Sequence, residues 1–189
     1  LSQRVKEIHK MVDEGKYFTI TRGRQYGKTT TLFALRQELS ADYIVASLSF
    51  EGITQSGFAS ETAFVQAFCR LLKKNSVFYK TIPEAVRAQL EAFLLQKKNT
   101  IAMDELFLVL SEWCGSAGKP LVLIIDEVDS ASNNQVFLDF LSLLRDGYIS
   151  RETDAVPTFQ SVILAGVTDI RYLRSQIRDD GRHRLNSPW

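Results

Sequence analysis

Leu121 to Ile125 is an unbroken apolar run that ends on two adjacent carboxylates, Asp126 and Glu127. A strand with one face in water alternates polar and apolar residues, so a run of this kind belongs to a central parallel strand covered on both faces. Phe159–Ala165 (FQSVILA) repeats the pattern and runs into Gly166-Val167-Thr168-Asp169. Lys16–Thr21 (KYFTIT) and Asp42–Glu51 (DYIVASLSFE), rich in aromatic and β-branched residues, supply two further strands. Four strands, at 16–21, 43–50, 121–126 and 159–166, alternate with helical stretches. The fold class is therefore α/β, a parallel sheet with helices on both faces.

The helical stretches follow from spacing and punctuation. Val5, Ile8 and Val12 share a face over residues 2–13, with Gly15 as the stop, and Leu32, Leu35 and Leu39 share one over Thr30–Leu39. Gly52–Gly57 breaks the second strand, and a long helical insertion precedes the third. It holds a helix capped by Ser60 or Thr62 and running through Leu72, one that opens at Pro83 and runs to about Lys98, and one over Thr100–Trp113. Gly115, Gly118 and Pro120 end the last of these, and 75–82 reads as a loop. After a polar turn at 132–134, Val136–Leu144 is helical and Asp146-Gly147 closes it. Phe64, Phe68, Leu71, Leu72, Phe93, Leu94, Phe107 and Leu110 read as core, Cys69 and Cys114 as packed thiols, and His9 as a surface position.

Composition narrows the function classes. The 189 residues suit a single domain, and 45% hydrophobic with 24% charged residues is a globular balance that excludes disorder as the main state. No apolar run approaches the roughly 18–20 residues of a membrane-spanning helix. Two cysteines without a CxxC pair, and only two histidines, give neither a disulfide framework nor a metal cluster and point to a reducing, cytoplasmic setting. A net charge of +1 gives no general pull toward nucleic acid or membrane. From Ile170 onward, however, five arginines face two aspartates. Arg171, Arg174 and Arg178 at helical spacing read as a solvated face, with an arginine finger or a DNA-binding strip as the alternative.

The chemistry concentrates at strand ends. Gly23-Arg24-Gln25-Tyr26-Gly27-Lys28-Thr29 lies between a predicted strand and a predicted helix, the setting of a phosphate-binding P-loop. There the main-chain N–H groups from Gly23 to Thr30 wrap phosphates, Lys28 neutralises the outer ones, and the Thr29 hydroxyl binds Mg²⁺. The GxxxxGK[ST] spacing puts its first glycine at position 22, which is Arg22 here, and Gly23 stands one place later. Asp126-Glu127 closing an apolar strand is the Walker B pattern, in which Asp126 holds Mg²⁺ and Glu127 polarises an attacking water. Asp129 reads as a turn or capping residue. At the tip of the fourth strand Thr168, then Asp169, is the candidate to contact a γ-phosphate or the water; a polar helix cap is the alternative reading. Asp126-Glu127-Val128-Asp129 also evokes a DEAD-box helicase, but no other helicase segment is present, and no Asn-Lys-x-Asp guanine motif occurs.

With ITRGRQYGKTTTL, LSFE after the second strand, LVLIIDEVD and VILAGVTDIRYLR in this order, the chain resembles the P-loop ATPases with an additional catalytic glutamate. Within them it is similar to the prokaryotic AAA-ATPase-like family, often found beside a nuclease-like domain. The resemblance covers roughly residues 16–189. It implies ATP and Mg²⁺ as ligands, with Lys28, Glu127 and Thr168 catalytic and Thr29 and Asp126 on the metal. It also implies a homo-oligomer or a fused effector as partner, and a five-stranded sheet with the P-loop strand central. The chain starts without Met and stops after Ser187-Pro188, so residues 1–189 are expected to be one ATPase core cut from a longer protein, its fifth strand and lid lying past Trp189. ATP hydrolysis is the leading expectation. A nucleotide-gated switch with negligible turnover is the alternative that Arg22 favours.

Overall fold

A computed structural model describes residues 2–21, 27–98, 100–131 and 133–167. The chain divides into two compact units, one built from 1–50, 119–133 and 159–189, the other from 51–118 and 134–158.

The first unit holds the sheet. Its elements are α1 (Ser2–Asp13), β1 (Tyr17–Thr21), α2 (Lys28–Leu39), β2 (Ile44–Ser49), β3 (Leu121–Asp126) and β4 (Ser161–Gly166). The order is β1-β4-β3-β2 and every pair is parallel. The α/β class and the four predicted strands are thus present. Among the described residues, β1, the strand that precedes Gly27, lies at the edge of the four, with β4 as its neighbour.

Both faces of the central strands are buried, as their unbroken apolar sequence requires. Leu121, Leu123 and Ile125 are as buried as Val122 and Ile124, and all six residues of β4 are buried. One face packs with Val5, Ile8 and Val12 of α1 and Leu32, Leu35 and Leu39 of α2, the two predicted apolar stripes, against Ile20, Val45, Val122, Ile124, Ile163 and Ala165. Fully burying each such leucine is worth roughly 1.5–3 kcal/mol. At the end of α1, Gly15 N–H donates to the Val12 carbonyl (2.9 Å) and Lys16 N–H to that of Met11 (3.0 Å). This paired closure of the last carbonyls is the predicted stop.

Side chains fix the N-terminal ends of the strands. Tyr17 OH donates to Phe159 O (3.0 Å), Ser161 Oγ to Lys16 O (2.5 Å) and Gln160 Nε2 to Val12 O (3.0 Å). His9 stands half-buried on α1 and has partners that its sequence neighbourhood did not announce. Its ring lies 3.5 Å from Asp13 and 3.9 Å from both Glu38 and Asp42, and edge-on to Tyr43.

The second unit is helical: α3 (Glu61–Lys74), α4 (Ser76–Tyr79), α5 (Glu84–Leu95), α6 (Met103–Ser116) and α7 (Gln135–Thr153). Ser60 caps α3 by accepting Ala63 N–H at 3.1 Å, as its position predicts. Asn75 caps the single turn α4 in the stretch expected to be a loop, through Phe78 N–H (3.1 Å). The core is aromatic. Phe140 stands 5.2 Å from Phe64, 5.6 Å from Phe68 and 5.5 Å from Phe107 between ring centres. Phe64, Phe68, Leu72 and Leu110 are fully enclosed, whereas Leu71, Phe93, Leu94 and Phe107 are half-buried. Cys69 is fully buried and Cys114 half-buried, and burial pushes both thiols up to about 12.

Two helix ends differ from expectation, each at a glycine that lies against a neighbouring segment. The last helix does not close at Asp146-Gly147 but continues to Thr153. A Cβ at Gly147 would lie 3.0 Å from Thr158 Oγ1, so this glycine leaves room for the segment beside the helix. Gly115 similarly sits inside α6 against Pro157, where a Cβ would meet the proline ring at 3.3 Å.

Candidate functional site

Register brings the chemistry-bearing strand ends to one level. Thr21 pairs with Gly166, Ser49 with Asp126, and Ile125 with Leu164. All four strands run the same way, so the segments after β1, β3 and β4 emerge at one edge of the sheet. In open α/β sheets, ligands bind at the carboxyl ends of the strands.

After β1, residues 22–26 lie outside the described residues, so Arg22, Gly23, Arg24, Gln25 and Tyr26 are not placed. Description resumes at Gly27, with φ 69° and ψ 30°, immediately before α2. Among the described residues nothing lies within 4 Å of a Cβ built there. The left-handed backbone by itself favours glycine. Thr31 donates both its N–H and its Oγ1 to the Gly27 carbonyl, each at 2.9 Å, which ties the first turn of the helix to the glycine. Lys28, Thr29 and Thr30 open α2, and Thr30 is exposed. The first N–H groups of a helix lack carbonyl partners within it and carry the positive end of its dipole, an arrangement suited to an anion.

After β3 the backbone turns sharply. Asp126 and Glu127 are both half-buried, and Asp126 Oδ1 accepts Glu127 N–H at 2.8 Å. Glu127 has φ 56°, in the left-handed region that costs a residue with a Cβ roughly 1–2 kcal/mol. Ser130 holds the turn closed by donating its N–H (3.2 Å) and its Oγ (2.8 Å) to the Glu127 carbonyl. Residues 128–131 form one turn of 3-10 helix. Strain of this sort collects where a side chain must be aimed and its surroundings hold it there.

The turn also reaches β4. Asp129 Oδ2 accepts the N–H of Val167 at 2.5 Å, and a Cβ added to Gly166 would lie only 2.6 Å from that oxygen. Asp129 is thus a turn residue, as its sequence position suggests, but its bond to β4 is one that sequence reasoning missed. The available signal was a glycine at the end of β4 matched to an acid three residues after Asp126. Thr168 and Asp169, and the arginines from Arg171 onward, lie outside the described residues.

Beside β1 a cleft of about 520 Å³ is lined by Gln3, Arg4, Glu7, Ile8 and Met11 of α1 and by Phe18–Thr21. Its wall ends at Thr21, the last residue of β1. Among the described residues no helix is long and apolar enough to cross a membrane, and no group of three or more His, Cys, Asp or Glu is set to hold a metal ion.

A parallel α/β sheet that delivers a glycine-led helix start and an acidic strand tip to one edge defines a domain of the P-loop ATPase class. The model of the AAA-like domain family matches residues 2–179, and the chain belongs to that family. No curated protein matches it. Among solved structures, the crystal structure of Cdc6p from Pyrobaculum aerophilum aligns at 15% identity with a TM-score of 0.46, over 94% of this chain. The chain spans 43% of the length of that protein chain.

Proposed function

We propose that residues 1–189 form one AAA-like core that binds ATP with Mg²⁺ and hydrolyses its β–γ bond by in-line attack of water. The observation that carries this reading is the shared level of the strand ends. It sets Asp126 and Glu127 at the same sheet edge as the β1 end that feeds Gly27, Lys28 and Thr29. The left-handed Gly27 and the start of α2 suit a triphosphate. Gly23–Thr30 would supply the backbone amides, with Lys28 neutralising the β- and γ-phosphates.

Thr29 and Asp126 fit Mg²⁺, a hard ion that takes one or two protein oxygens and keeps several waters. When bound, the ion offsets charge on the phosphate oxygens. Glu127, aimed by its constrained backbone, would accept the proton of the attacking water, and Thr168 would contact the γ-phosphate. The cleft between α1 and β1, with Ile8, Met11 and Phe18 among its walls, suits the base, and its size falls within the range of small-molecule sites.

The test is nucleotide titration and phosphate release for wild type, Lys28→Ala and Glu127→Gln. Lys28→Ala should lose affinity; Glu127→Gln should bind as wild type does and release no phosphate. A wild-type protein that binds no Mg-nucleotide at millimolar concentration sinks the reading. Arg22, standing where the P-loop spacing puts its first glycine, favours a second one: a cytoplasmic switch in a larger assembly, with a fused effector or further copies of itself as partner. Tight ADP retention with negligible phosphate release would select it.

A further inference from the structure

We propose that Asp129 is a positioning residue for hydrolysis, holding the tip of β4 against the turn that aims Glu127. The inference rests on the hydrolysis reading above and adds a residue to it. Glu127 is two positions before Asp129, and the 3-10 turn between them is short and closed by Ser130. From that turn the Asp129 carboxylate reaches across to β4 and takes the Val167 N–H at 2.5 Å. A carboxylate accepting a backbone N–H makes a charge-assisted bond, stronger and more directional than a neutral one. The bond therefore ties the turn that carries Glu127, the proposed water-activating group, to the tip of β4.

Gly166 is the second half of the arrangement. Any side chain there would meet Asp129 Oδ2 at 2.6 Å, its carboxyl carbon at 3.1 Å and Val128 Cγ2 at 3.1 Å. The absence of a side chain at Gly166 is what lets the carboxylate reach Val167. Because Asp129 acts through the backbone of a neighbouring strand, its loss should slow the chemical step while leaving ground-state binding nearly intact. Misplacement of a reacting group by about 1 Å can cost on the order of 100-fold, and loss of a supporting hydrogen bond typically costs about 10–100-fold.

The experiment compares kcat for phosphate release and Kd for Mg-ATP in the intact protein, as wild type, Asp129→Ala, Asp129→Asn, Gly166→Ala and the Asp129→Ala/Gly166→Ala pair, each checked for a native circular dichroism spectrum. Asp129→Ala should lower kcat about 10–100-fold with Kd within about threefold. Asp129→Asn keeps an acceptor oxygen and should restore kcat to within about threefold of wild type. Gly166→Ala should push the carboxylate off Val167 and match Asp129→Ala, and the pair should be no worse than either alone, because both break one link.

Wild-type kcat in Asp129→Ala, an asparagine variant as slow as alanine, or a loss that appears in Kd and not in kcat overturns the inference. Should wild type bind Mg-ATP yet release no phosphate above the Glu127→Gln background, the hydrolysis reading falls. The clasp is then judged by amide exchange at Val167. Slow exchange in wild type and Asp129→Asn with fast exchange in Asp129→Ala upholds it, and equal rates in all three overturn it.

Discussion

Replacing Glu127 by glycine should stabilise the protein while abolishing turnover. Glu127 holds φ 56°, and only one other described non-glycine residue, Ala155 at φ 54°, shares that region. The clash between Cβ and the carbonyl in this conformation costs about 1–2 kcal/mol, and glycine removes it. Glycine also gives the unfolded chain more freedom, which offsets about 0.5–1 kcal/mol of the gain. The net expectation is a stabilisation of about 0.5–1 kcal/mol, or roughly 1–4 °C in Tm for a chain of this length. Glu127→Ala and Glu127→Gln keep the Cβ and so keep the strain, while losing the same carboxylate. Ala155→Gly, at an exposed loop in the helical unit, provides the control in which strain is relieved away from the candidate site. Urea denaturation and phosphate release on all four variants separate the two effects. Glu127→Gly should exceed Glu127→Ala in stability, all three Glu127 variants should be inactive, and Ala155→Gly should be more stable and fully active. Equal stabilities for Glu127→Gly and Glu127→Ala would refute the strain argument.

Three other outcomes follow from the same structure. Gly27→Ala should cost about 1–2 kcal/mol although the added methyl meets nothing among the described residues, and Gly27→Asn should cost less because asparagine tolerates the left-handed region; equal losses in thermal melts would point to crowding instead. Phe140→Ala removes the ring shared by Phe64, Phe68 and Phe107 and should lower the stability of the helical unit by about 3–5 kcal/mol, read as a fall in its denaturant midpoint. Burial raises the Cys69 and Cys114 thiols from 9.0 to about 12, so the native state holds their protons more tightly than the unfolded chain does. Stability from the protonated thiols is whole below pH 9 and lost as pH rises toward 12, and denaturant midpoints should fall in that window less steeply for a Cys69→Ala/Cys114→Ala variant than for wild type.

What could be read in advance was whatever a short stretch of sequence dictates by itself. Leu121–Ile125 and Val162–Ala165 are buried on both faces wherever they pack, so their strands and the parallel class were legible. The stripes of Val5, Ile8 and Val12 and of Leu32, Leu35 and Leu39 gave α1 and α2 for the same reason, and Ser60 announced its cap. What escaped depends on partners distant in sequence. Gly147 looks like a helix stop until Thr158 is seen beside it, and Gly115 until Pro157 is. At the site, Asp126 and Glu127 were legible as an acidic strand end. The left-handed backbone of Glu127 was not, since glutamate has no local preference for it. Nor was the reach of Asp129 to Val167, which joins residues 38 apart in sequence.

The sheet also sets an order of events during synthesis. Ser161 holds the carbonyl of Lys16 across 145 residues, and β1 can meet β4 only once Gly166 has been made. At about 5–20 residues per second, that interval lasts roughly 7–30 s. Helices α3 to α6 lie within one continuous stretch and can pair with each other much earlier. β1 and β2 therefore each wait through part of synthesis as apolar segments without their described sheet partners, β1 the longer, and for that period they are the natural grip for a holding chaperone.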